Sequence, residues 1–393
     1  MAVRTLETLD VSGHRVLVRV DLNLPMQDGR VSDPTRLIAA AATVRELAQR
    51  GAKVIVLSHF GRPKGRDLSQ SLAPLLEPLA AAVAPHPVRF VDDCIGPEAE
   101  AAAAALEPGS VLLCENLRFH AGEEKNDPAF VAALAKLGDL WVMDAFSAAH
   151  RAHASTAGLG ALLPSAAGRT LEREVRALAK ALAHPDRPVM AIVGGSKVST
   201  KLDLLGNLVG KVDLLAIGGG MANTFLAAMG INVQNSLCEH DLGDTARAIQ
   251  ARARDTGCKL LLPIDAVVAD TLAPGVETQV VAVERIPAGG RVLDIGPATV
   301  SAWSAALRTA RTVVWNGPVG AFEVPPFDQG TVNLAKKLVE LSDLLSVAGG
   351  GDTVAALAHA GVTDKIGYVS TAGGAFLEWM EGKTLPGVAA VGG

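Results

Sequence analysis

The chain is expected to be an α/β protein built from two doubly wound, Rossmann-like parallel sheets joined by a helix hinge. Short β-branched and leucine-rich runs alternate along its length with longer alanine-rich helical stretches, the pattern of βα units feeding a parallel sheet. Its 393 residues exceed what one hydrophobic core organises, and roughly 150 residues per domain gives two. Near the middle, from Leu171 to Ala183, charges are spaced among leucines and alanines with no strand signal, and Pro164 and Pro185 bound the stretch as they bound a helix.

In the first half strands are expected over 15–20, 53–57, 88–91, 111–113 and 140–143. In the second they fall over 189–193, 214–217, 259–263, 312–315, 344–347 and 368–370, so each half has enough for its own sheet. The domain boundaries follow: 1–170 completed by about 380–393, an interdomain helix over 171–184, and a second domain over 185–379. Leu214 to Cys238 is the longest uncharged stretch, but Gly218, Gly219, Gly220 and several amides interrupt it, which reads as strand, glycine turn and buried helix rather than a membrane span.

Composition narrows the function. With 49% hydrophobic residues, mean hydropathy +0.29 and 20% charged residues, the chain has ample surface to bury. A net charge of -5 and a pI near 6.0 argue against a nucleic-acid partner. Cys94, Cys114, Cys238 and Cys258 lie far apart and make no CxxC pair, which suggests neither zinc nor a disulfide framework. With no apolar run for export in Met1 to Asp10, a cytoplasmic location without membrane partners is expected.

Open α/β sheets bind ligands at the carboxyl ends of their strands, and the two halves carry different chemistry there. In the first half those ends bear Arg19, Asp21 and Asn23, then His59, Arg62 and Lys64, then Asn116, Arg118 and His120, then His150, Arg151 and His153. Guanidinium groups on separate loops suit a small polyanion, since each matches carboxylate or phosphate oxygens bidentately. Arg36 follows the capping sequence Ser32-Asp33-Pro34-Thr35; a cation in a first turn opposes the helix dipole, so a bound anion is the simplest reason for it. The histidines read as hydrogen-bonding groups of that pocket rather than metal ligands, with no nearby cysteine or HExxH pattern.

In the second half the strand ends carry glycines: 194–195, 218–220, 317 and 320, 349–351 and 373–374, each expected to precede a helix. Glycine lets backbone approach a phosphate, and a helix start supplies free N–H donors, so five such turns on one sheet edge point to a nucleotide. Neither GxxxxGK[ST] nor GxGxxG occurs, which disfavours a Walker ATPase and a dinucleotide dehydrogenase. Lys197 and Lys201, four apart, are expected on one face of a helix opening after Gly195. Asp352, beside three glycines, suits a magnesium ion held with nucleotide phosphates.

Taken in order, the motifs resemble the phosphoglycerate kinase family over nearly the whole chain. They are Arg19-Val-Asp-Leu-Asn-Leu-Pro25, His59-Phe-Gly-Arg-Pro63, Glu115-Asn-Leu-Arg-Phe119 with Glu123-Glu-Lys-Asn126, and Ala149-His-Arg-Ala-His-Ala-Ser-Thr156. Gly194-Gly-Ser-Lys-Val-Ser-Thr-Lys201, Trp315-Asn-Gly-Pro-Val-Gly-Ala-Phe-Glu323, Gly349-Gly-Gly-Asp-Thr353 and Leu385-Pro-Gly-Val388 follow. The resemblance implies reversible phosphoryl transfer between 1,3-bisphosphoglycerate and ADP, giving 3-phosphoglycerate and ATP, with Mg2+, by two domains that close; a monomer is the default expectation. It implies that Asp21, Asn23, His59, Phe60, Gly61, Arg62, Arg118 and Arg151 hold the acid and that Arg36 sits by its reacting carboxyl. Lys201, Asn316, Glu323, Gly350, Gly351, Asp352 and Thr353 would hold the nucleotide, with Asp352 on the metal. Lys197 would follow the transferring group and Gly373 and Gly374 would stabilise it. A tail returning to the first domain is implied by the Leu385 motif.

A carboxylate nucleophile is already ionised at neutral pH, so the absence of an evident general base fits. Two departures stand out. Ser147 and Ala148 replace the family's usual Gly-Thr, which bears on packing of the substrate loop, and Ala372 replaces a glycine, which bears on the freedom of its turn. A binding protein for a phosphorylated metabolite and a two-domain dehydrogenase are the alternatives within this fold class.

Overall fold

The computed structural model describes residues 3–370 and 372–392. Met1, Ala2 and Gly393, at the ends of the expected first domain, and Thr371, in the last glycine turn, lie outside the described residues. The chain divides into two compact units, 1–176 with 384–393, and 177–383.

The first unit holds β1 (Arg15–Arg19), β2 (Met26–Gln27), β3 (Arg30–Val31), β4 (Lys53–Leu57), β5 (Val88–Val91), β6 (Val111–Cys114), β7 (Leu140–Met143) and β8 (Ser165–Ala167). Six of them form a parallel sheet ordered β5-β6-β4-β1-β7-β8, while β2 and β3 pair antiparallel. Strand β8 was not expected, because Ser-Ala-Ala has no β-branched side chain; pairing with β7 and a bond from Ala167 N–H to the Arg4 carbonyl (2.8 Å) impose its conformation. The helix Thr35–Gln49 buries Leu37, Ala40, Ala41, Val44, Leu47 and Ala48, a helical stripe that packs with Val16, Val18, Val54 and Val56 of the sheet.

The tail belongs to this unit. Its helix Pro386–Ala389 bonds Gly387 N–H to the Ala149 carbonyl (2.8 Å), and a Cβ at Gly387 would lie 2.9 Å from Ala149 Cα, so only glycine fits. Arg4 N–H reaches the Val391 carbonyl at 2.9 Å. The helix Arg169–Leu178, continued by a π turn over Ala179–Ala183, carries the chain onward; Asp144 caps its start, accepting from Thr170 N–H (2.7 Å) and Leu171 N–H (3.1 Å).

In the second unit β9 (Val189–Val193), β10 (Leu214–Ile217), β11 (Lys259–Leu261), β15 (Thr312–Asn316), β16 (Leu345–Gly349) and β17 (Tyr368–Ser370) form a parallel sheet ordered β11-β10-β9-β15-β16-β17. Strand order therefore reverses between β9 and β15, the position at which such sheets open a crevice. Three strands not expected from the sequence, β12 (Asp265–Ala269), β13 (Gln279–Ala282) and β14 (Arg291–Ile295), make an antiparallel sheet with its own small core of Leu226, Val268, Val283 and Ile286. The uncharged stretch after Leu214 is β10 followed by the helix Gly219–Ala228, and no helix of the described residues is long and apolar enough to cross a membrane.

Candidate active site

The first unit gathers its charged strand ends around one buried relay. Arg19, the last residue of β1, is 1% exposed and donates from Nε to Ser155 Oγ (2.8 Å), from Nη1 to the Val20 carbonyl and from Nη2 to His59 Nδ1 (3.0 Å). Ser155 donates in turn to Glu123 from Oγ (2.5 Å) and N–H (3.0 Å). Glu123 is fully buried and burial raises its carboxyl, against the pull of Arg19. His59 is held well below the usual imidazole range, first by burial and then by Arg19, Arg118, Arg151 and His153. Since a guanidinium only donates, His59 Nδ1 accepts and the hydrogen of this neutral ring lies on Nε2.

Beside the relay Asn23 Oδ1 accepts from Gly61 N–H (2.9 Å), and Asp21 Oδ1 accepts from Asn23 N–H (3.0 Å). Arg36 donates to the Asn23 carbonyl (3.1 Å) and lies 3.4 Å from Asp21 Oδ2, which also accepts from Ser147 Oγ. The counter-charge for this first-turn cation is thus partly internal, and Asp33 Oδ1 accepts from the N–H and hydroxyl of Thr35 in the turn that enters the helix. Arg118, largely buried, donates to the Gly61 carbonyl (2.6 Å), and Asn116 ties Phe60 to Gln70 through bonds of 2.7 and 2.8 Å. Arg62 is exposed, and Arg151 donates to His150 Nε2 at 3.3 Å. Every expected acid-binding residue therefore lies on the carboxyl-end loops of β1, β4, β6 and β7 or, for Arg36, on the helix after β3.

His120 departs from the expectation. It bonds Asp93 through Nε2 (2.7 Å), and Cys94 shares that neighbourhood, so a cysteine remote in sequence is near in space. Arg19 was expected among the strand-end cations but with no role of its own, and Glu123 and Ser155 entered only within longer motifs. The signal was Arg19 closing a strand immediately before the Asp21-Leu-Asn23 loop, but no spacing announces a Glu123 and Ser155 that are 32 residues apart.

The second unit contains a cavity of ≈ 710 Å³ at the carboxyl ends of β9, β10 and β15, lined by Gly195, Gly219, Gly220, Val319, Glu323 and Asp352 among others. Glycine is required where loops cross: a Cβ at Gly219 would sit 2.6 Å from the Gly195 carbonyl, with φ +66. One wall comes from β14 through Arg291, Val292 and Leu293, so the unforeseen antiparallel sheet contributes residues that sequence reasoning missed; its alternating Val, Leu and Ile runs were the available signal.

Lys201 sits at the point where strand order reverses, donating from Nζ to the Gly194 carbonyl (2.7 Å) and to Asn316 Oδ1 (2.6 Å). Burial pushes its ammonium down to about 8, opposed by Asp352. Lys197 and Lys201 do not share a helix face, as the spacing had suggested. Residues 196–201 form a loop in which Ser199 bonds Glu239, Lys197 is exposed, and the helix begins only at Leu202–Leu208. Likewise the turns after β9 and β15 run into loops, the latter through Pro318, Pro325 and Pro326, whereas Gly219, Gly351 and Gly373 open helices directly.

Asn316 and Thr353 are buried braces. Asn316 Nδ2 donates to the Gly349 carbonyl (2.8 Å), and Thr353 Oγ1 accepts from Gly317 N–H (2.7 Å) while donating to Gly349 (2.8 Å). Gly350 takes φ +101 and Asp352 stands exposed in the first turn of Gly351–His359. A Cβ on Gly373 would lie 3.7 Å from Gly351 N, so the starts of two helices converge, and Gly374 follows in the first turn. Ala372 adopts φ -100, open to any residue, so no glycine is required there.

The profile of the phosphoglycerate kinase family matches residues 6–383. The chain is similar to the phosphoglycerate kinases of Azorhizobium caulinodans (61% identical, covering 99% of this chain and 98% of the other) and Granulibacter bethesdensis (60%, 99% and 99%). Among solved structures it resembles phosphoglycerate kinase from Coxiella burnetii with TM-score 0.93 and 40% identity over 99% of both chains. That from Pyrococcus horikoshii OT3 gives TM-score 0.80 at 30% identity over 99% and 98%. Motifs, sheet order and likeness over nearly full length agree, and the chain belongs to the phosphoglycerate kinase family.

Proposed function

We propose that the chain transfers a phosphoryl group reversibly between 1,3-bisphosphoglycerate and ADP, giving 3-phosphoglycerate and ATP. The observation that carries this reading is the division of chemistry between the units: guanidinium, imidazole and amide groups at the strand ends of one, glycine-opened helix starts at those of the other. The first suits a small carboxylated phosphate ester and the second a nucleotide's phosphates.

In the kinase direction, a carboxylate oxygen of 3-phosphoglycerate bonds the terminal phosphorus of ATP as the bond from that phosphorus to the β,γ-bridging oxygen breaks, and that oxygen leaves with ADP. The acceptor is ionised at neutral pH, so no general base is needed. Asp21 and Asn23 orient the acid, and His59 offers its Nε2 hydrogen. Phe60 and Gly61 shape the pocket, and Arg62, Arg118 and Arg151 hold the distal phosphate. Arg36 and Lys197 balance charge on the transferring group with the N–H groups of Gly373 and Gly374. Gly350 and Gly351 present backbone to the nucleotide phosphates, Glu323 meets the ribose, and Lys201, Asn316 and Thr353 brace the loops around them.

Asp352 fits a magnesium ion: a single exposed carboxylate at a helix start leaves the other coordination positions to phosphate oxygens and water. When bound, Mg2+ neutralises charge on the phosphates. Because one unit holds the acceptor and the other the donor, the cycle includes domain closure, which limits hydrolysis. A monomer in the cytoplasm completes the reading.

The test is a coupled assay with 3-phosphoglycerate, ATP and Mg2+, run beside Arg36→Ala and Lys197→Ala. Turnover by the native chain and a loss of about 100-fold or more in each folded variant support the assignment. A folded native chain without turnover leaves the metabolite-binding protein as the function.

A further inference from the structure

We propose that Asp93, Cys94 and His120 form a binding site for a divalent cation of the zinc class. Two loops build it. Residues 92–96 follow β5, and His120 follows the turn Leu117–Phe119 after β6; β5 and β6 are parallel neighbours with Val91 opposite Cys114, so both loops leave the same end of the sheet.

A carboxylate oxygen of Asp93, the Cys94 sulfur and a ring nitrogen of His120 all lie within 4.8 Å of one another. Asp93 is oriented from behind by N–H bonds from Cys94 (2.6 Å) and Ile95 (3.4 Å) to Oδ1. The His120 ring leans on Phe130 with centroids 5.3 Å apart, which limits its rotation. Cys94 is fully buried, while the Asp93 and His120 side chains are 34% and 29% exposed, which leaves an approach from solvent.

The donor set selects the ion. Sulfur, imidazole nitrogen and one carboxylate are ligands of zinc, whereas magnesium and calcium take oxygen. Bonds of about 2.0 to 2.3 Å in a tetrahedron put ligand atoms about 3.5 Å apart. The present His120 to Asp93 separation of 2.7 Å widens by less than 1 Å to reach that, a rotamer adjustment. Three protein ligands leave the fourth position to water. On binding, the Cys94 thiol proton is released to solvent, and His120 carries its hydrogen on Nδ1 so that Nε2 meets the metal. A His120 to Asp93 hydrogen bond for stability alone needs no thiol beside it.

Titration of the full chain with Co2+ under reducing conditions tests the proposal. One equivalent is expected to produce thiolate-to-cobalt absorption in the near ultraviolet, abolished by stoichiometric Zn2+ and unaffected by excess Mg2+. Cys94→Ser removes the band, and His120→Gln, at a part-exposed position, weakens Co2+ binding at least about tenfold. Cys238→Ser leaves the band intact, although Cys238 also has an imidazole near it, His240 at 3.6 Å. The absence of a band at one equivalent, its survival in folded Cys94→Ser, or its loss in Cys238→Ser alone overturns the assignment. Should Cys94→Ser not fold, His120→Gln decides: unchanged Co2+ affinity overturns it.

Discussion

Arg19 donates from Nη2 to Nδ1 of His59 at 3.0 Å, and this one bond ties the charge balance of the buried relay to the tautomer of the His59 ring. Arg19→Met removes the cation while keeping most of the length. Glu123 is then buried without its counter-charge, so the expected loss is about 3 to 5 kcal/mol of stability in urea denaturation. Arg19→Lys, which keeps the charge but not the fork, is expected to lose less.

Acid sensitivity follows from the histidines of this pocket. His153 is pushed down to about 4, first by burial and then by Arg118, from an ordinary 6.5. Below 6.5 the unfolded chain binds a proton that the folded chain refuses, so this contribution is present above pH 6.5 and lost as pH falls towards 4, on the order of 3 kcal/mol by pH 4. His59 acts in the same direction. Denaturant midpoints from pH 7 to 4 are expected to fall less steeply in His153→Gln; parallel curves would refute the assignment.

Asp144 works the opposite way. Burial pushes its carboxyl up to about 7, so its folded form keeps a proton that the unfolded chain releases near 3.8. Stability contributed by the protonated group is full below 3.8 and declines as pH rises to 7. Asp144→Asn keeps the Oδ1 acceptor for Thr170 and Leu171, and is expected to gain stability relative to the native chain between pH 4 and 7.

Ser147 gives Asp21 a hydroxyl donor that glycine, usual in the family at this position, does not provide. Ser147→Gly is expected to raise the KM for 3-phosphoglycerate about five- to tenfold, the worth of roughly 1 kcal/mol, while the KM for ATP stays constant. Equal changes in both constants would point to a general loss of packing instead.

Thr353 joins Gly317 N–H to the Gly349 carbonyl through one hydroxyl. Thr353→Val preserves shape but leaves the Gly317 donor without that partner, so about 1 to 3 kcal/mol of stability is expected to be lost in thermal or urea unfolding. ATP affinity should weaken, and Thr353→Ser should restore most of both.

Period and punctuation were enough for much of this architecture. All eleven strands expected from the sequence are present, because a β-branched run between a helical stretch and a glycine turn has few other conformations to adopt. Ser165–Ala167 escaped because its small residues carry no strand signal and become a strand through the neighbour they pair with. Asp265–Ala269, Gln279–Ala282 and Arg291–Ile295, by contrast, carried Val, Leu and Ile runs that were passed over because they are short and pair into a separate antiparallel sheet. The spacing of Lys197 and Lys201 misled for a related reason: a helical interval forms a helix only where nothing else holds the backbone, and here Ser199 is held by Glu239.

By itself, then, the amino-acid order determined the α/β class, all but one strand of the two parallel sheets, the family and which loops carry cations or glycines, because each is written in neighbouring residues. Only the tertiary structure decided that Arg19 meets His59, that Ser155 meets Glu123, that Ser147 reaches Asp21 and that Cys94 lies beside His120. Those partners stand on different strand ends, and distance along the chain carries no record of which strands a sheet makes adjacent.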